Sequence, residues 1–290
     1  MLSQQECVVI QNINISTQKK GLKRNTIDKY YTKKTVVELC VSLIKQYIHF
    51  GQNDLIIEPS AGNGSFITSI KELSTNTIFY DLEPEHSDII KQDYLTLDYR
   101  KHKSNYERIH VIGNPPFGRQ SSLAIQFIRY SCLFCNSISF ILPKSFKKDS
   151  LKAKIHLTFH LIYEFDLPNN SFLVDDIEHN VPCVFQIWEK KIHNREISQK
   201  LEPTHFIFVD KSAFPAPDIS FRRIGVNAGI IDTQIDNKSI QSHYFIRFTN
   251  NKTVEDNIVK LSNIAFEFNN TVGPRSISKQ ELIKEIIKVF

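Results

Sequence analysis

A doubly wound α/β sheet is the fold class this sequence predicts, and three observations carry the prediction. Short apolar runs recur, DLIIE at 54–58, TIFYD at 77–81, RIHVIG at 108–113 and SISFILP at 137–143. Each ends in Gly, Pro or an acidic residue, as parallel strands covered on both faces do. Helix-spaced segments separate them, notably SFITSIKEL after the first run and SSLAIQFIRYSCLF after the third, and strand–helix alternation builds parallel sheets. Finally, FHLIYEFDL (159–167) and VPCVFQIWE (181–189) read as an antiparallel hairpin that closes the sheet, with NNSFLVDDIEHN as its loop.

The elements follow in order. Residues 1–25 are polar, with Lys19, Lys20, Lys23 and Arg24 clustered, and read as a basic arm. Residues 26–190 form the main domain. It opens on one amphipathic helix between Thr35 and Phe50, where Val36, Cys40, Leu43, Ile44 and Tyr47 recur at helical spacing. Residues 191–290 read as a small α+β appendage. In it KKIHNREISQKLEPT is a connector, HFIFVD and HYFIRF are strands, and VEDNIVKLSNIAFEF and SKQELIKEIIKVF are helices.

Composition narrows the function classes. With 290 residues, 21 Phe and 10 Tyr, the chain has ample core and is not disordered. No run approaches the ~18 apolar residues of a membrane span, so no membrane association is expected. The first residues lack a basic start before an apolar run, so no secretory signal is expected. Five cysteines, an odd number, suit a reducing setting. A soluble, intracellular protein is the expectation. Charge is uneven: residues 54–189 carry 13 Lys+Arg against 17 Asp+Glu, whereas 190–290 carry 15 against 11. An acidic middle between basic flanks fits a cationic or hydroxyl-rich cofactor beside a surface for a polyanion, or simply solvated lysines.

Three constellations carry chemistry. Glu58-Pro59-Ser60-Ala61-Gly62-Asn63-Gly64 stands between a strand and a helical run. Two glycines there let backbone approach a ligand at the carboxyl end of a strand; the alternative is a tight turn without a ligand. Asp81 ends the next strand, where a carboxylate is placed to accept hydrogen bonds from ribose hydroxyls. Asp93, after a further strand, is placed to meet an adenine amino group. The third constellation is Asn114-Pro115-Pro116-Phe117-Gly118. Two prolines stiffen this loop, holding the Asn114 side-chain oxygen and the Pro115 carbonyl as acceptors for one planar amino group. Phe117 offers a face on which a flat ring can stack.

In this order the motifs resemble those of class I S-adenosylmethionine-dependent methyltransferases, in the branch that acts on adenine N6. Tyr30-Tyr31-Thr32 is similar to the segment that covers the methionine end of the cofactor in many such enzymes, although Lys33 stands where Pro is common. The resemblance spans residues 30–190 and implies a Rossmann-like seven-stranded methyltransferase sheet. S-adenosyl-L-methionine is the implied cofactor. Tyr31, Thr32, Glu58, Pro59, Ala61, Gly62, Gly64, Asp81, Asp93 and Asn114 would hold it. Asn114, Pro115, Pro116 and Phe117 would grip the target amine. Phe172 would stack on the opposite face of the base, or is a core aromatic. Lys144, with Lys147 and Lys148, would meet phosphates, or is a solvated helix start.

The implied substrate is nucleic acid, with DNA ahead of RNA, and residues 191–290 are a candidate target-recognition region. A partner subunit is left open. Two other readings stand beside this one: methylation of a protein glutamine, and a non-catalytic nucleic-acid-binding subunit with the same fold. No metal is expected, since Cys132-x-x-Cys135 has no second pair and reads as helix packing. Arg222 and Arg223, ahead of Gly225 and Gly229, could touch a phosphate or form a surface turn.

Overall fold

Continuous burial is what distinguishes the central strands. In the computed structural model, which describes residues 30–197, 199–266 and 275–290, strand β2 (Asp54–Glu58) is buried at every position. Its side chains alternate between two cores. Leu55 and Ile57 join Tyr94, Phe127, Phe140 and Trp188 on one face, whereas Ile56 joins Val37, Ile44, Phe66 and Phe185 on the other. A sheet with both faces covered has no polar side to alternate with, and hence the unbroken apolar runs. The basic arm of residues 1–25 lies outside the described residues.

Around β2 stand β3 (Thr77–Asp81), β4 (Ile89–Lys91), β5 (Arg108–Gly113), β6 (Ser137–Pro143), β7 (Phe159–Asp166) and β10 (Cys183–Lys190). Their order across the sheet is β4-β3-β2-β5-β6-β10-β7. The first five strands run parallel, and β10 lies antiparallel between β6 and β7. This is the doubly wound, seven-stranded sheet that the motifs imply, closed by the expected hairpin. Helix α1 (Lys34–Tyr47) covers one face with Val36, Val37, Cys40 and Ile44. Helix α4 (Ser122–Cys132) covers the other with Ala124, Phe127 and Ile128; the short helices α3 (Arg100–Asn105) and α5 (Asp149–Lys152) precede and follow it in the chain. Cys132 and Cys135 are packed in that core, where burial pushes both thiols up.

Two differences from the sequence reading stand out. Helix α2 is only Ile67–Lys71, because Ser74 takes the chain out of helix: its hydroxyl donates to Asp54 O and accepts from Asn76 N. The stretch between β7 and β10 is not a plain loop. It contains β8 (Phe172–Val174) and β9 (Ile177–His179), joined through Asp175 and Asp176, both at positive φ (49° and 62°), as a two-residue hairpin turn requires. Strand β1 (Tyr31–Thr32) pairs antiparallel with β8, Thr32 opposite Phe172.

The remainder is the α+β unit. Strands β11 (Phe206–Val209), β12 (Ile219–Arg222), β13 (Ile231–Asp232) and β14 (His243–Phe248) form an antiparallel sheet ordered β11-β14-β12-β13. Helices α6 (Val254–Ser262) and α7 (Lys279–Val289) pack Leu261, Leu282, Ile283 and Ile286 against Phe206, Ile219 and Ile246. Ser278 and Glu281 form a capping box that starts α7. Lys148 ties this unit to the main sheet, its Nζ donating to Ser276 O at 2.7 Å and approaching Glu281 Oε2 at 3.2 Å. Among the described residues, no helix is long and apolar enough to cross a membrane.

Candidate active site

The chain reverses its direction of sheet-building between β2 and β5, and in open α/β sheets ligands bind at the carboxyl edge beside such a switch point. Glu58 ends β2 there, and Asn114 follows β5. The two strand ends are close: a Cβ on Gly113 would stand 3.2 Å from Glu58 Cγ. After Glu58 the turn needs glycine. Gly62 and Gly64 have φ of +55° and +83°, and a Cβ on Gly64 would meet Ile67 Cδ1 at 2.7 Å. The turn is tied by hydrogen bonds from Ala61 N to Tyr80 O and from Gly64 N to Ala61 O.

Asp81 faces this turn from the end of β3. Its Oδ2 accepts from Gly62 N at 2.8 Å and its Oδ1 from Glu83 N at 2.8 Å. Two backbone donors leave the carboxylate with acceptor capacity for further hydroxyls. Glu58 is different. It is 1% exposed, its Oε2 is buried and has no hydrogen-bond partner among the described residues, and its carboxyl is held well above the usual range, first by burial and then by the charge of Asp81. A buried acid of this kind has the capacity to ionise against a cation brought beside it. Asp93 is half-buried and caps the turn Tyr94–Thr96 by accepting from Leu95 N. Gln92 N–H, just before it, donates to Asp81 O.

The prolyl loop and β1 meet over the switch point. Asn114 Nδ2 donates to Tyr30 O at 3.4 Å and to Thr32 Oγ1 at 3.3 Å. A carbonyl can only accept, so the amide nitrogen must face β1. Asn114 Oδ1 consequently points elsewhere; it is buried and has no partner among the described residues. Ser60 Oγ donates to Asn114 O, joining the glycine turn to the prolyl loop. Pro115 is buried, Pro116 half-buried, and Phe117 packs half-buried against the α1-side core. Its carbonyl accepts from Leu123 N and Ala124 N at the start of α4.

Tyr31 lies beside the glycine turn and Thr32 beside Asn114. The Tyr31 ring comes within 3.3 Å of the Cβ position of Gly62, and its hydroxyl donates to Glu85, whose own N–H donates to Gly62 O. Thr32 is buried. Lys33, the departure from the usual Pro, has a structural reason. Its N–H donates to Ser171 O at 3.0 Å and its ammonium pairs with Glu178 on β9. A proline would make neither bond.

Two expectations are corrected. Phe172 is 1% exposed and part of the core, its ring met edge-on by Tyr30 at 6.1 Å. Its register opposite Thr32 turns the ring inward, so in this arrangement it cannot stack on a base. Lys144 is not a free cation: Lys144 and Lys147 both pair with Asp166, at 3.0 and 2.9 Å. Residues the motifs did not single out are the Tyr30 carbonyl, Ser60, Glu85, Ser171 and Glu178. A backbone carbonyl leaves no trace in sequence, and Glu85 and Glu178 are acids among many. Among the described residues no group of three His, Cys, Asp or Glu could hold a metal ion.

No family model matches the chain. A curated relative, the type II methyltransferase M.HincII of Haemophilus influenzae, is 29% identical over 106 residues, covering 35% of this chain and 19% of the relative. The matched stretch is thus about a fifth of that enzyme's length. Among solved structures, a type I restriction-modification methyltransferase subunit from Streptococcus thermophilus aligns with a TM-score of 0.42 at 14% identity, over 56% of this chain and 45% of that one. An rRNA methylase from the same species aligns with a TM-score of 0.36 at 13% identity, over 59% and 99%. With its glycine turn, acidic strand ends and prolyl loop in this order on a doubly wound sheet, the chain resembles the class I S-adenosylmethionine-dependent methyltransferases, and in one segment it is similar to a type II methyltransferase.

Proposed function

We propose that this protein transfers a methyl group from S-adenosyl-L-methionine to the exocyclic N6 amine of adenine in nucleic acid, with DNA as the first substrate to test. One observation carries the reading. Asn114 is pinned through its nitrogen to β1, and its side-chain oxygen is buried and without a partner among the described residues. A desolvated acceptor with nothing to accept costs free energy unless a ligand donates to it. An adenine amino group is such a donor.

The cofactor fits the residues on the other side of the switch point. The glycine turn leaves backbone open to close approach, Asp81 retains acceptor capacity for ribose hydroxyls, and Glu58 Oε2, without a partner among the described residues, suits the ammonium of a methionine moiety. When bound, the cofactor supplies an electrophilic methyl group; every other contribution is the chain's own. Asn114 Oδ1 and the Pro115 carbonyl accept from the amine and draw its lone pair out of conjugation with the ring. Phe117 supports the base by its ring face, and the stiff prolines fix the approach. Positioning of this sort is worth several orders of magnitude in rate. A base within a duplex must first leave its stack.

The test is tritiated methyl transfer to matched single-stranded DNA, duplex DNA, RNA and a glutamine peptide, with the product identified. N6-methyladenine in DNA is expected. Label in RNA alone would move the substrate class to RNA, label in the peptide to protein, and cofactor binding without transfer to any of them to a non-catalytic role.

A further inference from the structure

The α+β unit exposes an apolar side chain on a rigid turn with cationic groups at its base. Between β12 and β13 the chain runs Arg222-Arg223-Ile224-Gly225-Val226-Asn227-Ala228-Gly229-Ile230. Val226 is 96% exposed at its tip. The turn is stiff despite that exposure. Arg222 N donates to Ile230 O at 2.8 Å, Gly229 N to Arg222 O at 2.7 Å, and Ala228 N to Gly225 O at 3.0 Å. From outside, Gly225 N donates to Arg275 O and Ile277 N to Arg223 O. A bare valine held up by so many bonds gains nothing for the fold, because its side chain touches solvent alone.

The charges beneath it are not neutralised. Arg222 Nε donates to Ile224 O, and Arg223 donates to Gln241 O with its guanidinium 5.3 Å from the centre of the Tyr244 ring. Carbonyls and a ring hold both groups in place while leaving their charge uncompensated, and no carboxylate pairs with either among the described residues. The turn is also tethered to the active-site edge of the main sheet. Lys148 follows the short turn that leaves β6 at its carboxyl edge, the edge that carries Asn114 after β5. It bonds Ser276 O, and Ser276 bridges Ile224.

We propose that the Arg222–Ile230 turn is a nucleic-acid contact of this protein, Arg222 and Arg223 facing phosphates and Val226 pressing its apolar tip against base edges or between base steps. Cationic groups supply the sequence-independent attraction. A small apolar wedge on a preorganised turn contacts or unstacks bases without an ordering penalty on the protein side. The inference rests on the methyl-transfer reading for its substrate, and the experiment separates the two.

Wild type, Val226→Asp and Val226→Ile are compared in three measurements: cofactor affinity by calorimetry, affinity for fluorescein-labelled DNA and RNA oligonucleotides, and methyl transfer at subsaturating oligonucleotide. For Val226→Asp the expected result is unchanged cofactor affinity and thermal midpoint, with oligonucleotide affinity and subsaturating turnover both down about tenfold. Val226→Ile should stay near wild type. Wild-type oligonucleotide binding and methyl transfer left unchanged by the aspartate would overturn the contact. A wild type that methylates no nucleic acid would instead overturn the reading on which it rests.

Discussion

In the proposed reaction the chemistry turns on Asn114 and Glu58, each through a buried atom without a partner among the described residues. Replacing Asn114 with Ala removes the acceptor for the target amine but leaves the glycine turn intact. Methyl transfer at saturating cofactor should fall by about 10²–10³, as when one preorganised hydrogen-bond partner is lost from a reacting centre, well beyond the several-fold loss of calorimetric cofactor affinity expected from freeing β1 of its two bonds to the Asn114 amide. An Asn114→Ala protein of undiminished turnover would remove the loop from the mechanism. Glu58 gives a pH signature. Burial, then Asp81, raises its carboxyl in the free protein; a cation bound beside it would lower it again. The complex then binds fewer protons than the free protein, so cofactor affinity should rise with pH across that interval and binding should release protons. Calorimetry in buffers of different ionisation enthalpy reads the release directly, and Glu58→Gln should abolish it.

At the scale of elements, β1 is a strap held at three places: to Asn114 through Tyr30 and Thr32, to Glu85 through Tyr31, and to the β8–β9 hairpin through Lys33. Replacing Lys33 with Ala removes only the ion pair to Glu178 and should change cofactor affinity little, as exposed pairs do. Replacing it with Pro, which its φ of −60° accepts, also deletes the N–H bonded to Ser171 O. The second variant should lose more cofactor affinity than the first by several-fold, a further ~1 kcal/mol for one hydrogen bond, measured by titration with both proteins folded. Equal affinities would show that the hairpin does not hold the strap. The central strands and the glycine and prolyl turns were legible in sequence, since each is dictated by local burial or backbone geometry. The β8–β9 hairpin was not. Its turn uses Asp175 and Asp176 where Asn-Gly is the readable signal, and its pairing with β1 joins residues far apart in the chain. Phe172 was left between two roles for the same reason: only that register reveals that its ring faces the core.

Across the whole molecule, the two edges of the sheet divide function from stability. The carboxyl edge carries Glu58 Oε2 and Asn114 Oδ1, buried and without partners among the described residues, whereas the amino edge carries a buried network with its partners in place. Asp54 accepts from Gly51 N, Arg108 and His110, and His110 Nδ1 meets Ser137 Oγ at 2.7 Å. Burial lowers the His110 imidazole despite the opposing pull of Asp54, so the folded protein keeps it neutral. The unfolded chain binds that proton near the ordinary value of 6.5. Stability should therefore begin to fall as pH drops through about 6.5 and continue towards the folded-state value, with a slope of at most ~1.4 kcal/mol per pH unit for one proton. Asp54 adds a second window. Burial pushes its carboxyl up, but Gly51, Arg108 and His110 together bring it below its ordinary 3.8, so its contribution is present above that value and lost on further acidification. In thermal melts between pH 8 and 5, His110→Gln should show a lower midpoint at neutral pH, from the altered bonds to Asp54 and Ser137, and a flatter decline below pH 6.5. A variant whose decline matched wild type would move the acid sensitivity away from this edge, with the half-buried His102, also lowered by burial, as the next group to replace.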